Sequence, residues 1–145
     1  MISIATDLTI LFAAACLAAT ILPAQSEAVL SGLYLSGHHS AVMLVIVATA
    51  GNVLGACINW LIGRYLLIFQ DRSWFPVSAQ ALDRATQHYQ RYGVWTLLLA
   101  WVPIIGDPLT LIAGVMRTHI GLFFLLVTIG KAGRYIALVF ALSSF

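Results

Sequence analysis

The first 63 residues contain no lysine or arginine, and the acids among them are Asp7 and Glu27. A stretch so long and so nearly uncharged has no solvated face to offer, so its apolar segments must be matched to a bilayer rather than to a water-soluble core. The whole chain agrees: 61% of its 145 residues are hydrophobic and 8% charged, against about 45 to 50% apolar and 25% charged in soluble domains. This is the composition of an integral membrane protein. Residues 135–145 also lack lysine and arginine, so the small net charge of +2 conceals a concentration of charge in the middle of the chain. Nothing here suggests a nucleic-acid partner. A secretory signal peptide needs a basic n-region, whereas the early charge here is Asp7, and the AAAC at 13–16 lacks the leucine of a lipoprotein cleavage site. The first apolar segment is therefore expected to remain. Cys16 and Cys57 both lie inside apolar stretches and read as small buried hydrophobes.

Segment length then separates spans from hairpins. A helix crossing ~30 Å of hydrocarbon needs about 20 apolar residues, and residues 41–63 and 121–143 each supply 23. Both are predicted to span. Residues 4–36, 33 in all, are too many for one span and too few for two with a turn, and Pro23 breaks them near the middle. They read as a re-entrant hairpin. Residues 94–116 are broken in the same way by Pro103, Gly106 and Pro108, which gives a second hairpin. The alternative is one kinked spanning helix, since proline is tolerated in membrane helices. The arginines favour the hairpin: if 94–116 turns back, Arg64, Arg72, Arg84, Arg91 and Arg117 all face one side, which the positive-inside rule makes cytoplasmic. In the connecting stretch, assigned to 71–92, Leu82, Ala85, Tyr89 and Tyr92 fall on one helical face and Asp83, Arg84, Gln87 and Arg91 on the other. That pattern predicts an interfacial amphipathic helix.

Two spacings point to a duplication. Glu27 lies four residues after Pro23, and Asp107 four after Pro103, 80 residues further along; TAGN at 49–52 matches TIGK at 128–131 at an offset of 79. The GRY at 63–65 and 133–135 agrees out of register. The expected fold is thus an all-α integral membrane domain of two re-entrant hairpins and two spanning helices arranged as an inverted repeat. Proteins so built carry their site near the midplane, at broken helices.

Glu27, Asp107, Lys131 and Arg134 fall at or near that depth, where each unpaired charge costs about 2.5 to 3.5 kcal/mol. They should compensate one another, and Lys131 and Arg134, three residues apart, share a helix face. Either they form a structural salt-bridge cluster or they line a pathway for a charged substrate or protons; the second is favoured because apolar packing would serve structure alone. In GDP at 106–108, Asp107 stands where an N-cap is expected with Pro108 as the first helical residue. Ser26 is the candidate cap at the opposing tip, and the helix end after Pro108, with Lys131 and Arg134, could hold an anionic group such as a phosphate. Asn52 and Asn59 lie seven apart on nearly one face, to line a cavity or to bond a neighbouring helix; Gly51 and Gly55 form a G-x-x-x-G that permits close helix approach. His38 and His39 in GHHS read as a headgroup-level turn rather than a metal site. No GxSxG, HExxH, P-loop or CxxC occurs, so neither enzyme chemistry nor a cofactor is expected.

QSEAVL at 25–30, the spacing of Gly51, Gly55, Trp60, Gly63 and Arg64, YQRYG at 89–93, Pro103 with Ala113 and Gly114, and Met116 together resemble the DedA family, also called the VTT or SNARE-associated domain. The likeness covers most of the chain; W-x-P-x-x-GDPLT-x-x-AG at 101–114 and GK-x-x-RY at 130–135 resemble its short YqaA-like branch. The resemblance implies a multi-pass protein of the bacterial inner membrane with two opposed re-entrant hairpins. It implies kinship with lipid translocation or scrambling and with proton-dependent transport of polyprenyl-phosphate carriers. Acidic residues in the hairpins and a basic residue near them matter in the family; Glu27 and Asp107 occupy such positions. The main branch carries arginine three residues after the hairpin proline, where this chain has Gly106, so a phosphate-binding role carries over if Lys131 or Arg134 supplies that charge. The expected partners are accordingly membrane lipids of anionic or phosphate-bearing type. With two full spans a monomer offers little wall, which points to a homodimer. A proton- or cation-coupled carrier of small solutes and a non-transporting membrane assembly factor are the alternative functions.

Overall fold

A computed structural model of the chain describes residues 3–18, 25–65, 73, 78–102 and 106–145. Regular structure among them is helical throughout: α1 (Ile4–Ala18), α2 (Gln25–Leu35), α3 (Ala41–Tyr65), α4 (Ala79–Tyr92), a 3₁₀ helix (Gly93–Trp101), α5 (Gly106–Val115) and α6 (Ile120–Ser143). At 1.5 Å per residue the 25 residues of α3 and 24 of α6 extend about 36 to 38 Å. Both are long and apolar enough to cross a membrane, and they end within two residues of the predicted spans. α1, with 15 residues, reaches about 22 Å and falls short of a crossing. Pro23 and Pro103, the predicted hairpin breaks, lie outside the described residues, but the arms on either side of each pair up: α1 packs on α2, and the 3₁₀ helix on α5.

The chain divides into two compact units, residues 1–55 with 131–145, and residues 56–130. In the first, Leu11 and Ala15 of α1, Leu30 of α2, Leu44 and Ala48 of α3 and Tyr135 of α6 form one buried cluster. In a bilayer such a core is held by close packing rather than by escape from water, which is why a glycine sits at the crossing: a Cβ on Gly51 would overlap the carbonyl oxygen of Phe12 in α1.

The second unit shows the same device twice. A Cβ on Gly63 of α3 would meet the Leu111 carbonyl of α5, and one on Gly114 of α5 would meet the Trp60 carbonyl of α3, so the two backbones touch reciprocally. α5 is buried on all sides, from Pro108 through Gly114, as a helix apolar all round must be. Helix α4 starts at Ala79, capped by Ser78, whose hydroxyl accepts from Ala81 N at 3.2 Å. The earlier start expected at 71 falls mostly on residues outside those described. Its Leu82, Ala85 and Tyr89 are buried against α5 and the 3₁₀ helix, so the apolar face expected to meet the membrane interface is covered by protein. Tyr92, assigned to that face, is 56% exposed, because the helix stops there at Gly93, whose φ of 69° turns the chain. The arm that follows is 3₁₀ rather than α; at about 2.0 Å per residue its nine residues reach roughly 18 Å, further than one α-helix of that length.

Candidate functional site

Asn52 is the twelfth of the 25 residues of α3, and Lys131 the twelfth of the 24 of α6. These are the positions that TAGN at 49–52 and TIGK at 128–131 align at an offset of 79, and they touch: Lys131 Nζ donates to Asn52 Oδ1. Both side chains are buried, with Lys131 only 3% exposed. The other end of the Asn52 amide donates to the Tyr135 hydroxyl at 2.9 Å, and the same hydroxyl lies 2.8 Å from Ser26 Oγ of α2. One residue beyond Ser26, Glu27 Oε1 receives both Nε and Nη2 of Arg134, at 2.6 and 2.5 Å. Short contacts of that kind are charge-assisted hydrogen bonds, about twice as strong as neutral ones.

Six polar side chains from three helices thus form one cluster in the first unit: Ser26, Glu27, Asn52, Lys131, Arg134 and Tyr135. Helical spacing builds it, since Lys131, Arg134 and Tyr135 stand at i, i+3 and i+4 on one face of α6. Burying so many polar groups among Leu11, Leu30 and Leu44 is tolerated because each hydrogen-bonds to another. Five of the six are predicted site residues. Tyr135 is the sixth, and its signal was weak: it ends the GRY of 133–135, but an aromatic on an apolar helix reads as core until its hydroxyl finds partners. Loss of that hydroxyl leaves Ser26 and Asn52 each short of a bond, at about 1 to 3 kcal/mol per buried group. Tyr135→Phe should therefore lower the melting temperature in detergent measurably while leaving insertion intact; an unchanged melting curve would show that the cluster is not cohesive.

Two cap assignments need correction. α2 begins at Gln25 and α5 at Gly106, two residues ahead of the starts at 27 and 108 that those caps imply. Ser26 accordingly lies inside its helix and bonds Tyr135 instead of free amides. Asp107 lies in the first turn of α5, where a carboxylate interacts favourably with the helix dipole, and its backbone carbonyl accepts from Thr110 Oγ1 at 2.7 Å. Thr110 Oγ1 in turn accepts from Asn59 Nδ2 at 3.3 Å, so Asn59 ties α3 to α5 within the second unit. Pro108 is buried in that same turn, where its fixed φ suits the start of a helix.

Gly106 explains the departure from the main family pattern. A Cβ there would overlap the carbonyl oxygen and carbon of Ala100 in the 3₁₀ helix, so no arginine can stand at this position. Gly55 is buried in α3, and Arg64 is exposed near its end. His39 departs from a plain turn residue: its Nε2 lies 3.0 Å from Asp7 Oδ2 and its side chain is 2% exposed.

Comparison with known proteins identifies the family. The VTT domain model matches residues 9–144. Inner membrane protein YqaA of Escherichia coli (strain K12) is 41% identical over 137 residues, covering 94% of this chain and 92% of that protein. A Haemophilus influenzae protein whose name carries no function is 32% identical over 148 residues, 97% of this chain and 90% of its own. Undecaprenyl phosphate transporter A of Staphylococcus aureus is 28% identical over 119 residues, 76% of this chain and 59% of that protein. No solved structure matches. With its matched region running nearly from end to end, the chain belongs to the VTT domain (DedA) family and is an inner-membrane protein.

Proposed function

We propose that the protein moves a phosphate-bearing lipid, of the polyprenyl phosphate or phospholipid type, between the leaflets of the membrane, with proton movement as the driving coupling. The observation that carries this reading is the buried cluster at the midpoints of the two long helices, where Lys131 and Arg134 sit with the hydroxyls of Ser26 and Tyr135. Ammonium, guanidinium and hydroxyl donors gathered in a low-dielectric site are what phosphate oxygens require. Ionisable groups at that depth are costly, and function is the default explanation for them. Glu27, held on Arg134, is the group that a phosphate would displace and the carboxylate best placed to take up the accompanying proton. The similarity to a relative named undecaprenyl phosphate transporter A supports a phosphate-bearing cargo.

The same reading makes the α1–α2 pair and the 3₁₀–α5 pair re-entrant arms entering from opposite faces, with Asp107 at the tip of the second. Single cysteines at Gln80 and His119, both exposed, in a background lacking Cys16 and Cys57, should then both react with a membrane-impermeant reagent from the cytoplasmic side. Reaction at 119 from the opposite side would mean that 94–116 crosses the membrane. Function itself is tested in liposomes, by following labelled polyprenyl phosphate and labelled phospholipid from one leaflet to the other. Acceleration of either over protein-free vesicles supports lipid movement. If neither moves faster while a small anionic solute leaks in, the pathway is closed to lipid and the reading fails.

A further inference from the structure

Arg117 is the one non-glycine among the described residues with positive φ, 58°. It follows α5 in a turn where Thr118 N donates to the Ala113 carbonyl at 2.9 Å and Arg117 N to the Gly114 carbonyl at 3.1 Å. Those paired bonds define a Schellman motif, and Arg117 holds its left-handed position, which normally belongs to glycine because a Cβ is penalised there. Among the described residues the Arg117 guanidinium, which is exposed, makes no hydrogen bond or ion pair. A charge is being kept where the backbone would favour no side chain.

A second arginine is linked to the same turn through Trp60. Trp60 Nε1 donates to the Thr118 carbonyl at 3.2 Å, which pins the indole to the residue after Arg117. Over the face of that indole lies the Arg64 guanidinium, 5.4 Å from the ring centroid and 5.7 Å from that of Tyr65. Arg64 Nε bonds the Tyr65 hydroxyl at 3.3 Å, and its remaining N–H donors have no partner among the described residues. Stacking fixes the guanidinium plane while leaving its fork of donors available. Arg64 and Arg117 mark the end of α3 and the approach to α6, the level at which headgroups meet a spanning helix, and Trp60 and the 66% exposed Tyr65 are the aromatics favoured at that level.

The geometry points to a binding surface for the phosphate headgroup of an anionic phospholipid, formed by Arg64 and Arg117 around Trp60. It lies wholly within residues 56–130 and does not depend on lipid movement through the polar cluster. A lipid fits better than a free phosphate because the two cations are exposed at helix ends, with the exposed Tyr65 beside Arg64 and the indole of Trp60 buried beneath it, rather than in an enclosed polar cavity.

The test uses the whole protein in nanodiscs of phosphatidylcholine with increasing phosphatidylglycerol, read by thermal melting and by native mass spectrometry of retained lipid. Phosphatidylglycerol should raise the melting temperature of the wild type and remain bound. Arg117→Gly should melt higher than wild type in pure phosphatidylcholine, because glycine suits the left-handed position, yet bind phosphatidylglycerol about fivefold more weakly, equivalent to about 1 kcal/mol for one interfacial cation. Arg117→Gln, which keeps the backbone penalty and loses the charge, should lose the same binding without the gain in stability. Arg117→Lys should retain most of it. Unchanged phosphatidylglycerol affinity in both Arg117→Gly and Arg117→Gln would overturn the proposal. So would equal stabilisation by phosphatidylcholine, or by inorganic phosphate alone.

Discussion

Arg134→Met should abolish lipid movement in liposomes and destabilise the folded protein by about 3 kcal/mol, the low end for breaking a buried ion pair by removing one partner. The low end applies because Arg134 is 13% and Glu27 33% exposed at the side chain, so some solvent or headgroup access softens the loss. The penalty comes from Glu27, whose carboxylate would lose both charge-assisted bonds to Nε and Nη2. Adding Glu27→Gln to that variant should restore most of the melting temperature, since neither side chain then carries an unmatched charge, but it should not restore transport. Recovery of stability without recovery of activity is what separates a pathway from a brace. Full activity in Arg134→Met, at matched amounts of inserted protein, would rule out the pathway.

The second large effect belongs to Asp107. Because α5 starts at Gly106, the carboxylate stands inside the first turn, and Asn in its place keeps nearly the same volume and polarity while giving up the charge. Loss of a favourable dipole interaction there costs only about 0.3 to 1 kcal/mol, too little to prevent folding. Asp107→Asn should therefore insert at wild-type levels and fail to move lipid, whereas Asp107→Ala should both fail to move lipid and yield less folded protein. An Asp107→Asn variant with wild-type transport would assign the residue to helix architecture alone.

Much of the fold could be read in one dimension because membrane helices are counted rather than patterned. The apolar runs 41–63 and 121–143 reappear as Ala41–Tyr65 and Ile120–Ser143, since the bilayer thickness sets the length and charge sets the ends. The face shared by Lys131 and Arg134 followed equally from their spacing. Partner choice did not: that Arg134 takes Glu27, and that Lys131 meets Asn52, depends on how α2, α3 and α6 pack. His39 with Asp7 is the same kind of case, a pair 32 residues apart with no local signature. Helix starts misled by two residues at Ser26 and Asp107, because a good capping residue in the sequence does not oblige the helix to begin there. The 3₁₀ geometry of 93–101 was hidden for a related reason: Val94, Leu97 and Leu98 suit either helix, and the backbone path is set by Gly93 before it and by its contacts with α5.

The most direct measurement of a phosphate site at the cluster is the movement of labelled polyprenyl phosphate by Lys131→Met in liposomes, with melting and retained lipid recorded for the same samples. Lys131 is 3% exposed at the middle of α6, and methionine fills nearly the same volume without the charge or the bond to Asn52. Folded, inserted protein that no longer retains or moves the phosphate lipid is the expected result; movement at the wild-type rate would contradict a phosphate site at the midpoints of the two long helices.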